Sequence, residues 1–290
     1  MISLAVDDFV LIAYNRFYVL CCGPIMHMAE EEKSKEITVV VSGEQSAVEQ
    51  GILEEMAKAG VLYGRRKSKT NPRMLRYIFT TRNGMEILDI VQTIPLLERA
   101  EQFLSELVRT KKSILFVGTT PAAKDVVKVL AEKSGFPSVT ERWLGGTLTN
   151  WKTIHERLQY YLKLKADRET GKLEKYTKKE RVAFDKEIAR LTHLFQGLEI
   201  MTKLPDAIVV VGVTSHETAI REARRLKIPI VGILSSDADP EVVDFVVPAN
   251  DLSKSSVRWV LDRFEKVMEA AKREIPAVAS TPTATPGAKP

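Results

Sequence analysis

Positive charge is concentrated in residues 58–82, which we call the basic segment. It holds eight lysines and arginines and no acid, whereas the whole chain has a net charge of only +5. Cations without acidic neighbours are typical of surfaces that bind the phosphates of nucleic acid. For a charge run alone, the better interpretation would be a solvated surface loop, and the glycines and Asn-Pro pair of the segment do predict a loop. Because Tyr63 and Tyr77 are interleaved with the cations and the motifs described below adjoin them, we predict phosphate contact here. The predicted ligands are Arg65, Arg66, Lys67, Lys69, Asn71, Arg73, Arg76 and Arg82.

A second candidate is the stretch 142–151, which we call the glycine loop and which reads Arg-Trp-Leu-Gly-Gly-Thr-Leu-Thr-Asn-Trp. Its two adjacent glycines allow backbone conformations that other residues avoid, so the loop can approach a flat or charged partner closely. The residues that we predict to contact this partner are Arg142, Trp143, Thr147, Thr149 and Asn150, with Lys152 directly after them.

The residues that perform catalysis do not form a constellation in this sequence. The four histidines, His27, His155, His193 and His216, are scattered, and none has a cysteine or second histidine at metal-ligand spacing. Asp237, Asp239 and Asp244 cluster on a predicted loop, where aspartates usually form turns and cap helices. We predict no catalytic residue, metal, cofactor or small-molecule substrate.

Adjacent Cys21 and Cys22 are the only cysteines, which excludes a disulfide framework and favours a reduced, cytoplasmic setting. The longest apolar run, residues 9–22, is interrupted by Asn15 and Arg16 and is too short to span a bilayer. We therefore predict no membrane partner.

Residues 1–27 differ in character from the rest of the chain, and we expect translation to start at Met26 or Met28. The alternative is a lipid or partner anchor.

The elements that must position these candidates follow an α/β pattern. Continuous apolar runs predict buried strands at 114–117, 207–211, 229–234 and 245–247. Helices are predicted before, between and after these strands, at 93–109, 121–133, 217–226 and 252–272. Asn83-Gly84 predicts a hairpin between strands at 77–82 and 85–90. A helix at 46–58 is plausible, and the β-branched run 37–41 stays open. The fold class is α/β: a doubly wound, mostly parallel sheet.

Between the two halves of this sheet lies a long helical stretch, residues 152–198. Apolar residues spaced alternately by four and three predict a coiled-coil seam. They are Phe184, Ile188, Leu191, Phe195 and Leu198 on the second arm, and Ile154, Leu158 and Tyr161 on the first. With a turn at Gly171, the sheet acquires an inserted antiparallel coiled-coil helical hairpin.

Four regions result. Residues 1–52 are an extension of uncertain structure. An acidic segment, residues 30–55, overlaps the end of this extension and has eight acids against two lysines and no assigned role. Residues 53–151 and 199–272 form the α/β domain, and 152–198 form the hairpin. Residues 273–290, mostly alanine, threonine and proline, are too poor in large apolar side chains to fold and should be disordered.

A phosphate-binding fold leaves a second function open, a nucleotide- or sugar-phosphate-binding enzyme. The turn Gly118-Thr-Thr120 ends a strand and opens a helix, where α/β enzymes hold phosphates. It lacks both the Gly-x-Gly-x-x-Gly and the Gly-x-x-x-x-Gly-Lys-Thr patterns. We therefore keep the enzyme as the alternative to an RNA-binding protein.

Several blocks occur in the order and spacing of one known family. They are Asn71-Pro72, Tyr77-Ile-Phe79, Arg82-Asn-Gly84, Ile114-Leu-Phe-Val-Gly-Thr119, the glycine loop and Leu204-Pro-Asp206-Ala207. Together they resemble the bacterial small-subunit ribosomal protein S-two family over residues 53–271. The resemblance implies a structural protein that binds small-subunit ribosomal RNA by phosphate and shape contacts and touches neighbouring ribosomal proteins. In the family the protein also helps to recruit ribosomal protein S-one, which the sequence leaves open for this chain.

This chain departs from the family pattern at four positions. Leu62 and Arg65 stand where the family commonly has histidines, and Gly212 and Ser235 where it commonly has aspartates. Such histidines and aspartates could hold a divalent ion. Because arginine carries a fixed positive charge, we predict that no metal binds here and that Arg65 reaches Asp237 instead.

Overall fold

A computed structural model describes residues 47–274, and the fold rests on a five-stranded sheet. Its strands are β4 (Ile114–Val117), β5 (Ser138–Val139), β6 (Ala207–Val211), β7 (Ile230–Leu234) and β8 (Phe245–Pro248). They are all parallel, in the order β5-β4-β6-β7-β8. Since β5 lies on one side of β4 and β6 on the other, the strand order reverses at β4. The predicted parallel, doubly wound sheet is confirmed.

Successive side chains of a strand point to opposite faces of the sheet, so the apolar strands present apolar side chains on both faces. Helices cover each face. Helices α1 (Ala47–Ala59), α2 (Ile90–Arg109), α3 (Lys124–Ser134) and α7 (Lys254–Arg273) bury apolar residues in a core with Ile114 and Phe116. Helices α4 (Trp151–Glu169), α5 (Lys178–Phe195) and α6 (Glu217–Arg225) form a second core with Leu115 and Val117. Both faces are thus buried, which explains the continuous apolar strands.

A smaller antiparallel sheet is formed by two strands of the basic segment and a third strand directly after it. It contains β1 (Tyr63–Arg66), β2 (Ile78–Arg82) and β3 (Met85–Leu88), in the order β1-β3-β2. Asn83 and Gly84 have φ angles of 51° and 73°, so the Asn-Gly hairpin turn is confirmed. Two 3₁₀ turns, at Lys67–Lys69 and Pro72–Tyr77, connect β1 to β2.

The prediction of a loop in the basic segment was wrong for residues 63–66, which form β1. This strand is only four residues long and contains a glycine and two arginines, which are poor strand signals. It is a strand because it pairs with the free edge of β3, about twenty residues later in the chain. A reading of local sequence cannot detect such a partner.

Helices α4 and α5 pack side by side and run antiparallel. Arg168 pairs with Asp185 near the far end, and Tyr161 stacks on Phe195 near the sheet. Gly171, with a φ of 73°, lies in the turn between them. Tyr161 and Phe195 belong to the second core, so the base of the helical pair is continuous with the domain. A regular coiled coil with domain boundaries at 152 and 198 stays a prediction.

Most other differences concern element ends. Helix α2 begins at Ile90 rather than at residue 93, because the Asp89 carboxylate accepts hydrogen bonds from the backbone N–H groups of Val91 and Gln92. Helix α3 begins at Lys124 rather than at residue 121.

Some predictions lie outside the described residues. They are those for residues 1–27, 37–41 and 275–290, and for the acidic residues before 47. Within 47–274, no helix is both long and apolar enough to cross a membrane.

Candidate nucleic-acid interface

The loops that matter most meet at one edge of the parallel sheet. The carboxyl ends of its five strands lead to Thr119, the glycine loop, Gly212, Ser236 and Asp251. In open α/β sheets this edge is where ligands bind, beside the point at which the strand order reverses. Both candidate stretches are attached to this edge.

The basic segment is fixed to the carboxyl edge by backbone hydrogen bonds. The N–H of Arg65 donates to Ser236 Oγ (2.8 Å), and the N–H of Asn71 donates to the Ser236 carbonyl (2.9 Å). The N–H of Asn250 donates to the Val61 carbonyl (3.1 Å). A Cβ atom on Gly64 would lie 2.9 Å from Ser236 Oγ, so only glycine permits this approach. The small sheet is therefore held in a defined position on the domain.

Arg65 is engaged inside this attachment. Its Nη2 lies 3.2 Å from Asp251 Oδ2, and its Nε lies 3.4 Å from Asp237 Oδ2. The Asp251 side chain is only 3% exposed, and burial raises its pKa although Arg65 opposes the shift. The predicted contact between Arg65 and Asp237 is confirmed. Arg65 therefore differs from the free phosphate ligand that the sequence suggested, since its guanidinium is already paired with two carboxylates.

The contacts of Arg65 also show whether the side chains around it could hold a metal ion. The position of a Cβ on Gly212 would lie 3.3 Å from Asp251 Oδ2, so two positions that depart from the family pattern, 65 and 212, converge on Asp251. The guanidinium already supplies positive charge there, and no third carboxylate, histidine or cysteine completes a ligand set among residues 47–274. These side chains do not fit a bound cation.

Most remaining cations of the basic segment point to solvent. These are Arg66, Lys67, Lys69, Arg76 and Arg82, all exposed, and within the described part of the chain none has a carboxylate within 4 Å. Arg73 differs, because it pairs with Asp239 and Glu241. Asn71 caps the following 3₁₀ turn by accepting a hydrogen bond from the N–H of Arg73. The structure thus separates five free cations from three residues that hold the segment together.

The glycine loop is organised by a residue that sequence reasoning missed, Glu222 of α6. Glu222 is 8% exposed, and its carboxylate accepts five hydrogen bonds from residues in the described part of the chain. They come from Trp143 Nε1 (3.1 Å), the N–H groups of Gly146 (2.8 Å), Leu148 (3.0 Å) and Thr149 (3.3 Å), and Thr149 Oγ1 (3.3 Å). Nothing near Glu222 in the sequence reveals this role, because its partners lie more than seventy residues earlier and are mainly backbone groups.

This carboxylate remains ionised despite its burial. Burial works to raise the pKa of Glu222, but the hydrogen bonds from Gly146, Trp143, Leu148 and Thr149 together hold it below its ordinary value. A buried anion of this kind needs donors fixed in place, and here most of them are backbone N–H groups of the loop. Glu222 therefore determines the shape of the glycine loop.

The loop residues predicted to bind RNA consequently divide into two groups. The Trp143 indole and the Thr149 hydroxyl donate to Glu222, and the Thr147 side chain is buried and donates to the Leu144 carbonyl. These three serve the loop itself. Arg142, Asn150 and Lys152 are exposed, and within residues 47–274 neither cation has an acidic partner. Arg142 and Lys152 thus resemble the five free cations of the basic segment.

The turn after β4, which could hold a phosphate in an enzyme, is occupied by the protein itself. The N–H of Thr119 donates to His216 Nε2 (3.0 Å), and the N–H of Gly118 donates to the Val139 carbonyl (3.0 Å). Burial lowers the pKa of His216, whose Nδ1 lies 2.8 Å from the Gly212 carbonyl, which fits a neutral ring donating from that nitrogen. His216 thus joins the ends of β4 and β6, and these N–H groups are not available to a nucleotide.

Comparison with known proteins agrees with this architecture. The model of the family described as Ribosomal protein S2 matches residues 56–279. The small ribosomal subunit protein uS2 of Thermus thermophilus is 40% identical over 211 residues, which cover 73% of this chain and 82% of that protein. The uS2c protein of Emiliania huxleyi is 41% identical over 209 residues, covering 72% and 91%. That of Cyanophora paradoxa is 37% identical over 211 residues, covering 73% and 91%.

The family consists of structural constituents of the ribosome and not of enzymes. The match begins at residue 56. It includes the basic segment, the glycine loop, both halves of the parallel sheet and the helical pair between them. The chain therefore belongs to the ribosomal protein S2 family.

Proposed function

We propose that this protein binds small-subunit ribosomal RNA through phosphate and shape contacts made at the carboxyl edge of its parallel sheet. Its coarser role, that of a structural component of the small ribosomal subunit, follows from family membership. The observation that carries the proposal is the group of exposed cations without acidic partners, Arg66, Lys67, Lys69, Arg76 and Arg82 in the described part of the chain. An RNA backbone is the polyanion that such a group fits.

The geometry supports shape recognition as well as attraction. The small sheet is fixed by Ser236 and Asn250, and the glycine loop is fixed by Glu222. Cations on rigid supports can match phosphates at fixed positions, whereas cations on a mobile arm give mainly non-specific attraction. Arg142 and Lys152 extend the charged area from the glycine loop.

Further partners and the location belong to the same proposal. Neighbouring small-subunit proteins contact the chain in the assembled subunit, and ribosomal protein S-one is a candidate among them through the family resemblance. The protein acts in the cytoplasm, where the subunit is built. Neither a membrane nor a small-molecule substrate takes part.

The experiment compares two triple variants of the full chain. The first is Arg66→Ala, Lys67→Ala, Lys69→Ala; the control is Lys111→Ala, Lys112→Ala, Lys227→Ala. The control lysines are exposed and lie at the amino-terminal edge of the parallel sheet, before β4 and β7. Affinity for small-subunit ribosomal RNA is measured at several salt concentrations. The slope of log affinity against log salt is negative, and its magnitude grows by about 0.7 to 0.9 with each phosphate contact. If each of the three residues contacts one phosphate, the first variant reduces this magnitude by about 2.1 to 2.7.

The control should leave that slope unchanged, and circular dichroism should show both variants folded. Equal slopes for the two triple variants would contradict the proposed surface. Sucrose-gradient fractionation supplies a second readout, because the first variant should be depleted from small subunits relative to the control.

A further inference from the structure

One face of the small antiparallel sheet is turned to solvent. Residues opposite one another on paired strands lie on the same face. The register aligns Arg66, Met85 and Arg82 in one row across β1, β3 and β2, and Tyr63, Ile87 and Thr80 in the next. We call these two rows the outer face. Gly64, Glu86 and Leu88 are buried on the side that faces the domain.

Irregularities in the edge strands produce this division. Gly64 and Arg65 together oppose Glu86, because β1 carries a bulge between Tyr63 and Arg66. Arg65 therefore reaches inward to Asp237 and Asp251, while Tyr63 and Arg66 stay on the outer face. A second irregularity, between Ile78 and Thr80 in β2, contains Phe79.

Large apolar side chains are exposed on and beside the outer face. Phe79 is 74% exposed, Tyr63 is 51% exposed and Met85 is 38% exposed. Single exposed apolar residues are ordinary, but these three belong to one sheet of thirteen residues and lie among arginines. Such a combination indicates a surface that a partner covers.

The charge of this surface determines the kind of partner. The only acid in the three strands is Glu86, whose side chain is buried. Arg66 and Arg82 flank Met85, and Lys67 follows directly after β1. Aromatic side chains on a sheet, with cations around them, match nucleotides whose bases are unstacked and whose phosphates lie alongside. Duplex RNA would leave the aromatic rings unused. A protein partner could use the same aromatic, methionine and arginine side chains, and the test below distinguishes it from RNA.

We propose that the outer face, together with Phe79 beside it, binds single-stranded RNA, with unpaired bases stacked on Phe79 and Tyr63 and phosphates contacting Arg66 and Arg82. The inference rests on the proposed RNA-binding function and specifies the kind of RNA, unpaired nucleotides. Stacking of this kind tolerates any base, since every base has a flat apolar face. It adds an uncharged contribution to the phosphate contacts.

The test uses the full chain and two RNA probes. One is an oligouridylate of about 12 nucleotides, within the usual range of single-strand sites, and the other is a duplex of the same length. The variants are Phe79→Ala, Phe79→Leu and Phe79→Trp, with Tyr160→Ala on α4 as the matched control because Tyr160 is also exposed. The pair Arg66→Ala, Arg82→Ala tests the phosphate contacts separately.

The proposal expects Phe79→Ala to weaken oligouridylate binding about five- to 150-fold, the measured range for losing one stacked base. The salt slope should not change, because no charge is removed. Phe79→Leu should behave like Phe79→Ala, and Phe79→Trp should restore binding. The double arginine variant should instead lower the slope by about 1.4. Tyr160→Ala should match the wild-type protein.

Other outcomes separate this inference from the function on which it rests. Unchanged oligouridylate binding in Phe79→Ala, combined with a lower slope in the double arginine variant, overturns stacking and leaves phosphate binding intact. Loss of Phe79→Ala from small subunits without any loss of RNA binding also overturns stacking, since the partner would then be a protein. If the wild-type chain binds neither probe nor small-subunit ribosomal RNA, the proposed function itself fails.

Discussion

Replacing Glu222 by glutamine tests how the glycine loop is held. The glutamine oxygen can still accept hydrogen bonds on one side, but its NH₂ group must face N–H donors on the other. In the orientation that keeps Gly146 and Trp143 bonded, the N–H groups of Leu148 and Thr149 lose their acceptor. An unsatisfied buried donor costs about 1 to 3 kcal/mol, so Glu222→Gln should lower the free energy of unfolding by about 2 to 4 kcal/mol.

The assay is urea unfolding followed by tryptophan fluorescence, to which Trp143 and Trp151 contribute from within the glycine loop. Glu217→Gln is the matched control: Glu217 lies on the same helix, is exposed, and among residues 47–274 its carboxylate makes only a surface ion pair, with Arg221. Its loss should change stability by no more than about 0.5 kcal/mol. Equal stability of the two variants would refute the role of Glu222.

The pH dependence provides an independent check. The folded protein lowers the pKa of Glu222 from its ordinary value of 4.5. A carboxylate of this kind contributes stability that is complete above pH 4.5 and is lost as the pH falls through the lower, folded-state pKa. The stability difference between the wild-type protein and Glu222→Gln should therefore be largest near neutral pH and shrink in acid. A difference that stays constant down to acid pH would contradict this reasoning.

Three further predictions concern the helical pair, the attachment of the basic segment and the metal content of the protein. Leu191→Ala should lower the free energy of unfolding by about 2 to 4 kcal/mol, because this side chain of α5 is buried in the second core. Val182→Ala, at an exposed position on the same helix, should change the free energy of unfolding little. Equal effects of the two variants in urea unfolding would mean that the two helices are loosely packed. Arg65→Met should cost about 2 to 4 kcal/mol, since it leaves Asp237 and Asp251 without their counter-charge, while Arg73→Met removes an exposed pair and should cost less than about 1 kcal/mol. Elemental analysis of the purified protein should find no stoichiometric zinc, and zinc that disappears on mutating Ser235 would contradict the arginine-based contact.

Local sequence was sufficient where the structure depends on local patterns. The run Ala207–Val211 is a strand with the predicted bounds, because an uninterrupted apolar stretch suits burial on both faces. Asn83 and Gly84 form the predicted turn because both tolerate positive φ angles. The contact between Arg65 and Asp237 could be predicted only from the departure of this chain from its family pattern.

Non-local contacts account for what the sequence did not reveal. Strand β1 exists because β3 offers a free edge and Ser236 accepts a hydrogen bond from the N–H of Arg65, and neither partner is near β1 in the chain. Glu222 looks like any polar helix residue until the fold brings the glycine loop against it. For the same reason, the sequence could not separate the paired cation Arg73 from the free ones around it, because its partners Asp239 and Glu241 lie far from it in the chain.

The central claim, that the carboxyl edge carries the RNA-binding surface, is tested most directly by chemical modification of lysines. The reactivity of each lysine in the free chain is compared with its reactivity in the complex with small-subunit ribosomal RNA, and the sites are read by mass spectrometry. Lys67, Lys69 and Lys152, exposed at this edge, should become protected, whereas Lys111, Lys112 and Lys227, exposed at the opposite edge, should stay reactive. Protection of the second group without protection of the first would contradict the claim.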